Sequence, residues 1–296
     1  MPTGAAHVLP CHADGHPGRL PRRPEGAPVL PPRPVGASVT LMDTATTTPS
    51  PASAPAWEDA GWERLATRVG RCRLPVWDCT AGLVVGTGAA LMIEAGSSLR
   101  EGSRLRADAR RLLGDGRRVT HLALTHPHFD HVLGAAAFAG VEVFGAVGLD
   151  TVLDHDREGL RADAVAQGLD PAAADEAADL LVQPRHLVCG EWTLDLGGLQ
   201  VLLANVGPGH TGHDLAVLVP GGPGEPEVVF CGDLVEESGE PQAGPDAAPR
   251  HWPAALDRLL DLGGEDAVYV PGHGAVVDAA FVRRQRDDLA RRFGVA

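Results

Sequence analysis

Thr125-His126-Pro127-His128-Phe129-Asp130-His131 follows directly on the apolar run Val119-Thr120-His121-Leu122-Ala123-Leu124. Four side chains able to ligate a metal fall within six positions, and at a strand end the i, i+2 spacing of His126 and His128 can send both imidazoles to one side. Burying unpaired imidazoles and a carboxylate costs several kcal/mol unless a cation or hydrogen bonds satisfy them, so packing alone does not gather such residues. The stretch reads as the first block of an open, histidine-rich metal site; the alternative is a solvated polar loop.

Upstream of it, Leu83 to Glu94 reads as two extended segments joined by a Gly-bearing turn, and Cys72 to Cys79 as another. Leu99 to Leu113 has helical spacing in Leu99, Leu105, Ala109, Leu112 and Leu113, with arginines on the solvated face and Gly114 as the stop. Downstream come a short helix around Val132 to Phe138 and the strand Val141 to Phe144. Residues 146–183 are helical in composition and lie between the first histidine block and the next, which makes this insertion the natural lid over a pocket. Within it His155 stands between Asp154 and Asp156, as a helical surface or a second site would place it.

Strands resume with Arg185 to Val188, Trp192 to Leu196 and Leu199 to Val206, the last running into Gly207-Pro208-Gly209-His210-Thr211-Gly212-His213-Asp214. The strand Leu215 to Val219 follows, and Glu227 to Cys231 ends in Gly232-Asp233. A helix from about Trp252 to Leu262 precedes the strand Ala267 to Val270 and Pro271-Gly272-His273-Gly274, and Phe281 to Phe293 closes the chain as an amphipathic helix. Three more times, then, a strand ends in a small-residue turn carrying His or Asp, where glycine lets the backbone turn sharply and approach closely. His213 and Thr211 read as turn-forming or supporting residues, Glu236 and Glu237 as pocket-facing or solvated, Cys231 and Trp252 as core, and Tyr269 as a strand residue.

The net charge of the 296 residues is -14, and all 25 basic residues are arginine. Residues 1–56 carry Arg19, Arg22, Arg23 and Arg33 against Asp14, Glu25 and Asp43, so the acidity belongs to the remainder. An acidic body without a basic stripe repels phosphate backbones and anionic membrane surfaces, which argues against either as partner and leaves a small-molecule substrate. No apolar run approaches a membrane span, and no leader-like apolar segment opens the chain. Five cysteines without a Cys-x-x-Cys pair fit a reducing compartment, so a cytoplasmic protein is expected; the oligomeric state is left open. Residues 1–56, rich in Pro, Ala, Gly, Ser and Thr, are expected to be disordered, with His7, Cys11, His12 and His16 lacking a frame to fix a metal, and Met42 is an alternative start. Residues 57–296 are expected to form one catalytic domain.

Taken together, four strand ends offer His126, His128, Asp130 and His131, then His210, then Asp233, then His273. This ordered set resembles the metallo-β-lactamase superfamily, whose motif is His-x-His-x-Asp-His followed by a distant His, an Asp and a final His. The resemblance covers about residues 72 to 280. It implies an α/β fold, a four-layer αββα sandwich of two mixed sheets with helices outside and a two-metal site at one edge. It further implies that His126, His128 and His210 hold one ion, that Asp130, His131 and His273 hold the other, and that Asp233 bridges them. These ligand types suit Zn2+, two per chain, with iron or manganese as alternatives. Two such ions about 3.5–4 Å apart acidify a bridging water, polarise a carbonyl or phosphoryl oxygen and stabilise the leaving group. Asp130 is then the catalytic residue, both ligand and the acceptor that orients the attacking hydroxide, and it can pass the proton to the departing group.

Departures from the superfamily's branches narrow the choice. Zinc β-lactamases do not place a bridging Asp where Asp233 stands. Glyoxalase II enzymes share the ligand set but add a helical domain that grips glutathione, and 23 residues follow His273 here. Quorum-signal lactonases carry a catalytic Tyr where this chain has Glu236, flavodiiron proteins replace the second His, and the ribonuclease branch needs a basic surface. The whole looks most like small bacterial hydrolases, which implies a dinuclear-zinc hydrolase of a small ester, thioester, lactone or amide. The alternative is a mononuclear-iron sulfur dioxygenase of the same fold.

Overall fold

The computed structural model describes residues 55–295. The segment expected to be disordered, with its histidines, Cys11 and the alternative start, lies outside the described residues but for its last two positions.

The first sheet runs in spatial order through β1 (Glu63–Ala66), β2 (Val69–Arg73), β3 (Thr80–Val85), β4 (Ala90–Ile93), β5 (His121–Ala123), β6 (Glu142–Ala146) and β7 (His186–Val188). Its first four strands are antiparallel hairpin neighbours, whereas β4 to β7 are parallel. Parallel neighbours need crossovers, and helices supply them. These are α1 (Leu99–Leu113) between β4 and β5, α2 (Phe129–Val132) after β5, and α3 (Leu149–His155), α4 (Arg157–Ala166) and α5 (Pro171–Asp179) between β6 and β7. The second sheet contains β8 (Glu191–Asp195), β9 (Gln200–Asn205), β10 (Leu215–Val219), β11 (Val228–Glu236) and β12 (Val268–His273), in the order β12-β11-β10-β9-β8. Only β11 and β12 are parallel in it, joined through α6 (Trp252–Gly263), and α7 (Ala279–Phe293) follows.

Side-chain alternation turns these sheets into four layers. On β4, Leu91 and Ile93 pack with Val201, Leu203, Val217 and Phe230 between the sheets, while Ala90 and Met92 face Leu105 and Ala109 of α1. On β11, Val228 and Phe230 point between the sheets, and Val229 and Cys231 pack with Trp252, Leu256 and Leu259 of α6 and Val282 of α7. Strands buried on both faces read as continuous apolar runs rather than alternating ones, as Val228–Cys231 does. The result is the αββα sandwich.

Local signals fixed α1 well: the Ser98 hydroxyl accepts from Glu101 N, Glu101 accepts from Ser97 N at 2.9 Å, and Gly114 ends the helix at φ 58°. The insertion is helical as expected. Three expectations need correction. Cys72 to Cys79 is not one strand, because β2 stops at Arg73 and the chain turns, with Leu74 N bonded to Cys79 O at 2.8 Å and Arg73 paired to Asp78. Asp233 does not end its strand, since β11 continues to Glu236. Trp57, Trp62 and β1, which no pattern announced, belong to the core: Trp57 is fully buried over Gly70, where any Cβ would strike its ring. Among the described residues no helix is long and apolar enough to cross a membrane.

Candidate metal centre

Four segments reach one edge of the sandwich. The loop behind β5 brings His126 and His128, and α2 starts there and brings Asp130 and His131. The turn between β9 and β10 brings His210, β11 brings Asp233 and the end of β12 brings His273. Glycine makes the approach possible at two places. Gly232 has φ 54° and faces Thr125, whose Oγ1 would lie 2.6 Å from a Cβ, and a Cβ on Gly272 would collide with the Asp233 carboxylate.

All seven side chains converge. His210 Nε2 and His128 Nδ1 face each other at 3.0 Å, and His126 Nε2 and His210 Nε2 each lie 3.5 Å from Asp233 Oδ2. His131 Nε2 is 3.2 Å from Asp233 Oδ1, and His273 Nε2 is 3.3 Å from Oδ2. Asp130 Oδ2 lies 3.3 Å from His273 Nε2 and 3.6 Å from His131 Nε2. Ligand atoms of His126, His128, His210 and Asp233 thus form one group, and those of His131, Asp233 and His273 a second that shares the same carboxylate.

The outward nitrogens are held as well. His126 Nδ1 meets Thr125 Oγ1 at 2.8 Å, and His128 donates from Nε2 to Asp246 at 3.1 Å. His210 donates from Nδ1 to Gln242 O at 3.1 Å and His273 from Nδ1 to Trp77 O at 2.7 Å. His131 Nδ1 faces Glu94 Oε1 at 3.4 Å, with Cys79 Sγ at 3.6 Å. His128, His210 and His273 therefore have their tautomers set from outside and turn their remaining lone pair inward, the arrangement a metal ligand requires.

The residues present fit a cation. Two imidazole nitrogens face each other across 3.0 Å, and buried His126 Nε2 and Asp233 Oδ1 have no hydrogen-bond partner. Burial holds His126 well below the usual imidazole range and takes His210 down to about 4, so both are neutral. Burial opposes a charge on His273 too, yet the neighbouring Asp233 outweighs it and raises His273 to about 10. Protons drawn onto that side by the buried carboxylates stand where a divalent ion would supply the same charge.

The centre opens into a cavity of about 790 Å³ whose wall includes Trp77, Phe129 and, from the insertion, Val152, Leu160 and Asp163. Glu236 is buried and lines this cavity, and burial beside the negative Asp233 pushes its carboxyl up to about 9. Glu237 instead accepts from Ala275 N at 2.7 Å. Thr211 donates twice to buried Asp214, which shapes the His210 turn, and His213 donates to Val147 O, tying that turn to the start of the insertion. Trp252 is core, and its ring also meets His210 edge-on at 5.3 Å. Glu94, Thr125 and Asp246 were not singled out from sequence; Thr125, adjoining the histidine block, is the one whose position signalled it.

Comparison with known proteins agrees with this architecture. The family model of the metallo-beta-lactamase superfamily matches residues 74–273. A metallo-beta-lactamase from Pontibacter korlensis superposes with a TM-score of 0.57 at 20% identity, covering 77% of this chain and 97% of that one. The DIM-1 metallo-beta-lactamase does so at 0.58 and 16%, covering 78% and 97%, and one from Hirschia baltica at 0.55 and 15%, covering 77% and 96%. At such identities the likeness is one of fold. No curated protein matches the sequence. With two thirds of its length matched and the sandwich and histidine cluster in place, the chain belongs to the metallo-beta-lactamase superfamily.

Proposed function

We propose that the chain is a metal-dependent hydrolase of a small ester, thioester, lactone or amide. His126, His128 and His210 would hold one zinc ion and Asp130, His131 and His273 a second, with the Asp233 carboxylate within reach of both groups. The observation that carries this reading is that the imidazoles of His126, His128, His210 and His273 each direct one nitrogen to a common centre while a separate partner holds the other, and that of His131 joins them beside Asp233. When bound, the ions supply Lewis-acid polarisation of the scissile carbonyl and a water acidified towards neutrality.

The chain's own groups do the rest. Asp130, buried at the cavity floor beside His131 and His273, accepts the proton of the attacking water at its carboxylate and returns it to the leaving group. Asp233 offsets the cationic charge that neutral imidazoles cannot. Trp77, Phe129 and Leu160 shield one side of the cavity from water, and the turn of His210 is held by Asp214 so that its imidazole does not swing.

Elemental analysis of the purified chain, with a panel of chromogenic esters, thioesters, lactones and amides, tests this. Two zinc ions per chain and hydrolysis that a chelator abolishes and zinc restores are expected. One iron per chain with oxygen uptake, or a chain that retains no transition ion, would overturn it.

A further inference from the structure

The cavity wall differs in charge from what a substrate with a carboxylate or phosphate would need. Apart from His128, Asp130, His210, Asp233 and His273 of the centre, the lining contributes the carboxyl groups of Asp156, Asp163, Glu236, Glu240 and Asp246. It contributes no arginine, and the chain has no lysine at all. Asp156 and Asp163 come from the insertion, Glu240 and Asp246 from the loop behind β11, so two separate segments bring negative charge to one opening. Asp246 is engaged by His128; among the described residues the other four side chains make no ion pair.

Glu236 gives this wall a specific contact point. The residue is only 8% exposed, its backbone N–H is fixed on Gln285 Oε1 at 3.0 Å, and its carboxyl receives no hydrogen bond from the protein. With no donor from the protein, burial alone leaves that carboxyl neutral, and a ligand that brings an N–H donor satisfies it. The same wall carries Trp77 and Phe129, packed edge to face with ring centroids 5.2 Å apart, and aromatic faces attract ammonium groups. Acidic walls, an unpaired buried acceptor and an aromatic pair are three separate features that favour one kind of ligand.

We propose that the substrate is a small acyl compound bearing a protonated amine, bound with its ammonium at Glu236, and that its carboxylate-bearing counterparts are turned away. This rests on the hydrolase reading of the centre. The carboxylates beyond Glu236 act at longer range, raising the local concentration of a cation and lowering that of an anion.

The zinc-loaded full chain would be given three para-nitrophenyl esters of similar size: the neutral butyrate, the β-alanine ester and the monosuccinate. Phenethylamine and its uncharged isostere phenethyl alcohol would be titrated calorimetrically in parallel. The expected kcat/KM ranks amine above neutral above carboxylate, with at least about a tenfold span between the extremes that narrows in salt. The amine should bind about tenfold more tightly than the alcohol, and Glu236→Gln should remove most of that advantage. Asp163→Asn, at an exposed position where folding is not at stake, should narrow the ester ranking. Equal turnover of the three esters, preference for the monosuccinate, or amine binding no tighter than the alcohol would overturn the proposal while leaving a hydrolase in place. Hydrolysis of none of them, with the amine still preferred in binding, would instead sink the hydrolase reading and keep the cation site.

Discussion

Asp246 accepts the Nε2 proton of His128 at 3.1 Å from a loop 118 residues further along the chain. The contact fixes His128 in the tautomer whose Nδ1 faces His210 and raises its basicity, although burial works the other way. Asp246→Ala should weaken metal retention about 10- to 100-fold, as loss of a supporting carboxylate commonly does. Competition against a chromophoric chelator measures it. Unchanged affinity would show that His128 is oriented by packing alone.

Asp130 lies between His273 and His131 without being needed by the other three-histidine group. Asp130→Asn should therefore lower kcat by roughly 10²–10⁴, the range for removing a positioned proton acceptor, while elemental analysis still finds at least one ion per chain. Full turnover in the variant would remove Asp130 from the chemistry.

In the metal-free protein stability should fall from neutral to alkaline pH. His210, at about 4 in the fold against 6.5 when free, binds its proton more readily unfolded, so its own contribution rises with pH from 4 to 6.5, where buried Asp214 and Glu236, raised to about 7 and about 9, work the opposite way. His273 is raised, to about 10, so its pairing with Asp233 contributes fully below 6.5 and is lost as pH climbs through 10. Denaturant midpoints from pH 6.5 to 10 should accordingly fall, the descending limb being worth on the order of a few kcal/mol. Once a metal occupies those nitrogens, the proton no longer decides and the alkaline limb should flatten. An alkaline limb of equal slope with and without zinc would refute the assignment of His273.

The seven central side chains were legible because their information is local: crowded histidines behind an apolar run, and glycine turns at strand ends. Their supports were not. Glu94 meets His131 only because β4 and β5 are parallel neighbours, and it does so from a left-handed backbone at φ 65° that nothing in Ile93-Glu94-Ala95 suggests for a non-glycine residue. Trp77 is joined to His273 through its carbonyl oxygen, which carries no residue signature. The layers followed from apolar periodicity, whereas the turn at Leu74–Cys79 was hidden because Arg73 and Asp78 close it in space rather than through a glycine turn.

Trp57 illustrates the same limit at the start of the domain and gives a stability test independent of any metal. It stands beside a Pro/Ala-rich stretch, yet its side chain is fully buried, its ring lies 6.3 Å from that of Trp62 and it covers Gly70 of β2. Trp57→Ala removes the largest piece of that contact and leaves a cavity, so a loss of about 3–5 kcal/mol is expected in urea unfolding. Gly70→Ala acts from the other side, since its Cβ enters the space of the indole, and should cost about 1–3 kcal/mol by overpacking. The double variant restores part of the volume, so its loss should be smaller than the two single losses added together. Strict additivity would show that the two residues do not share the contact.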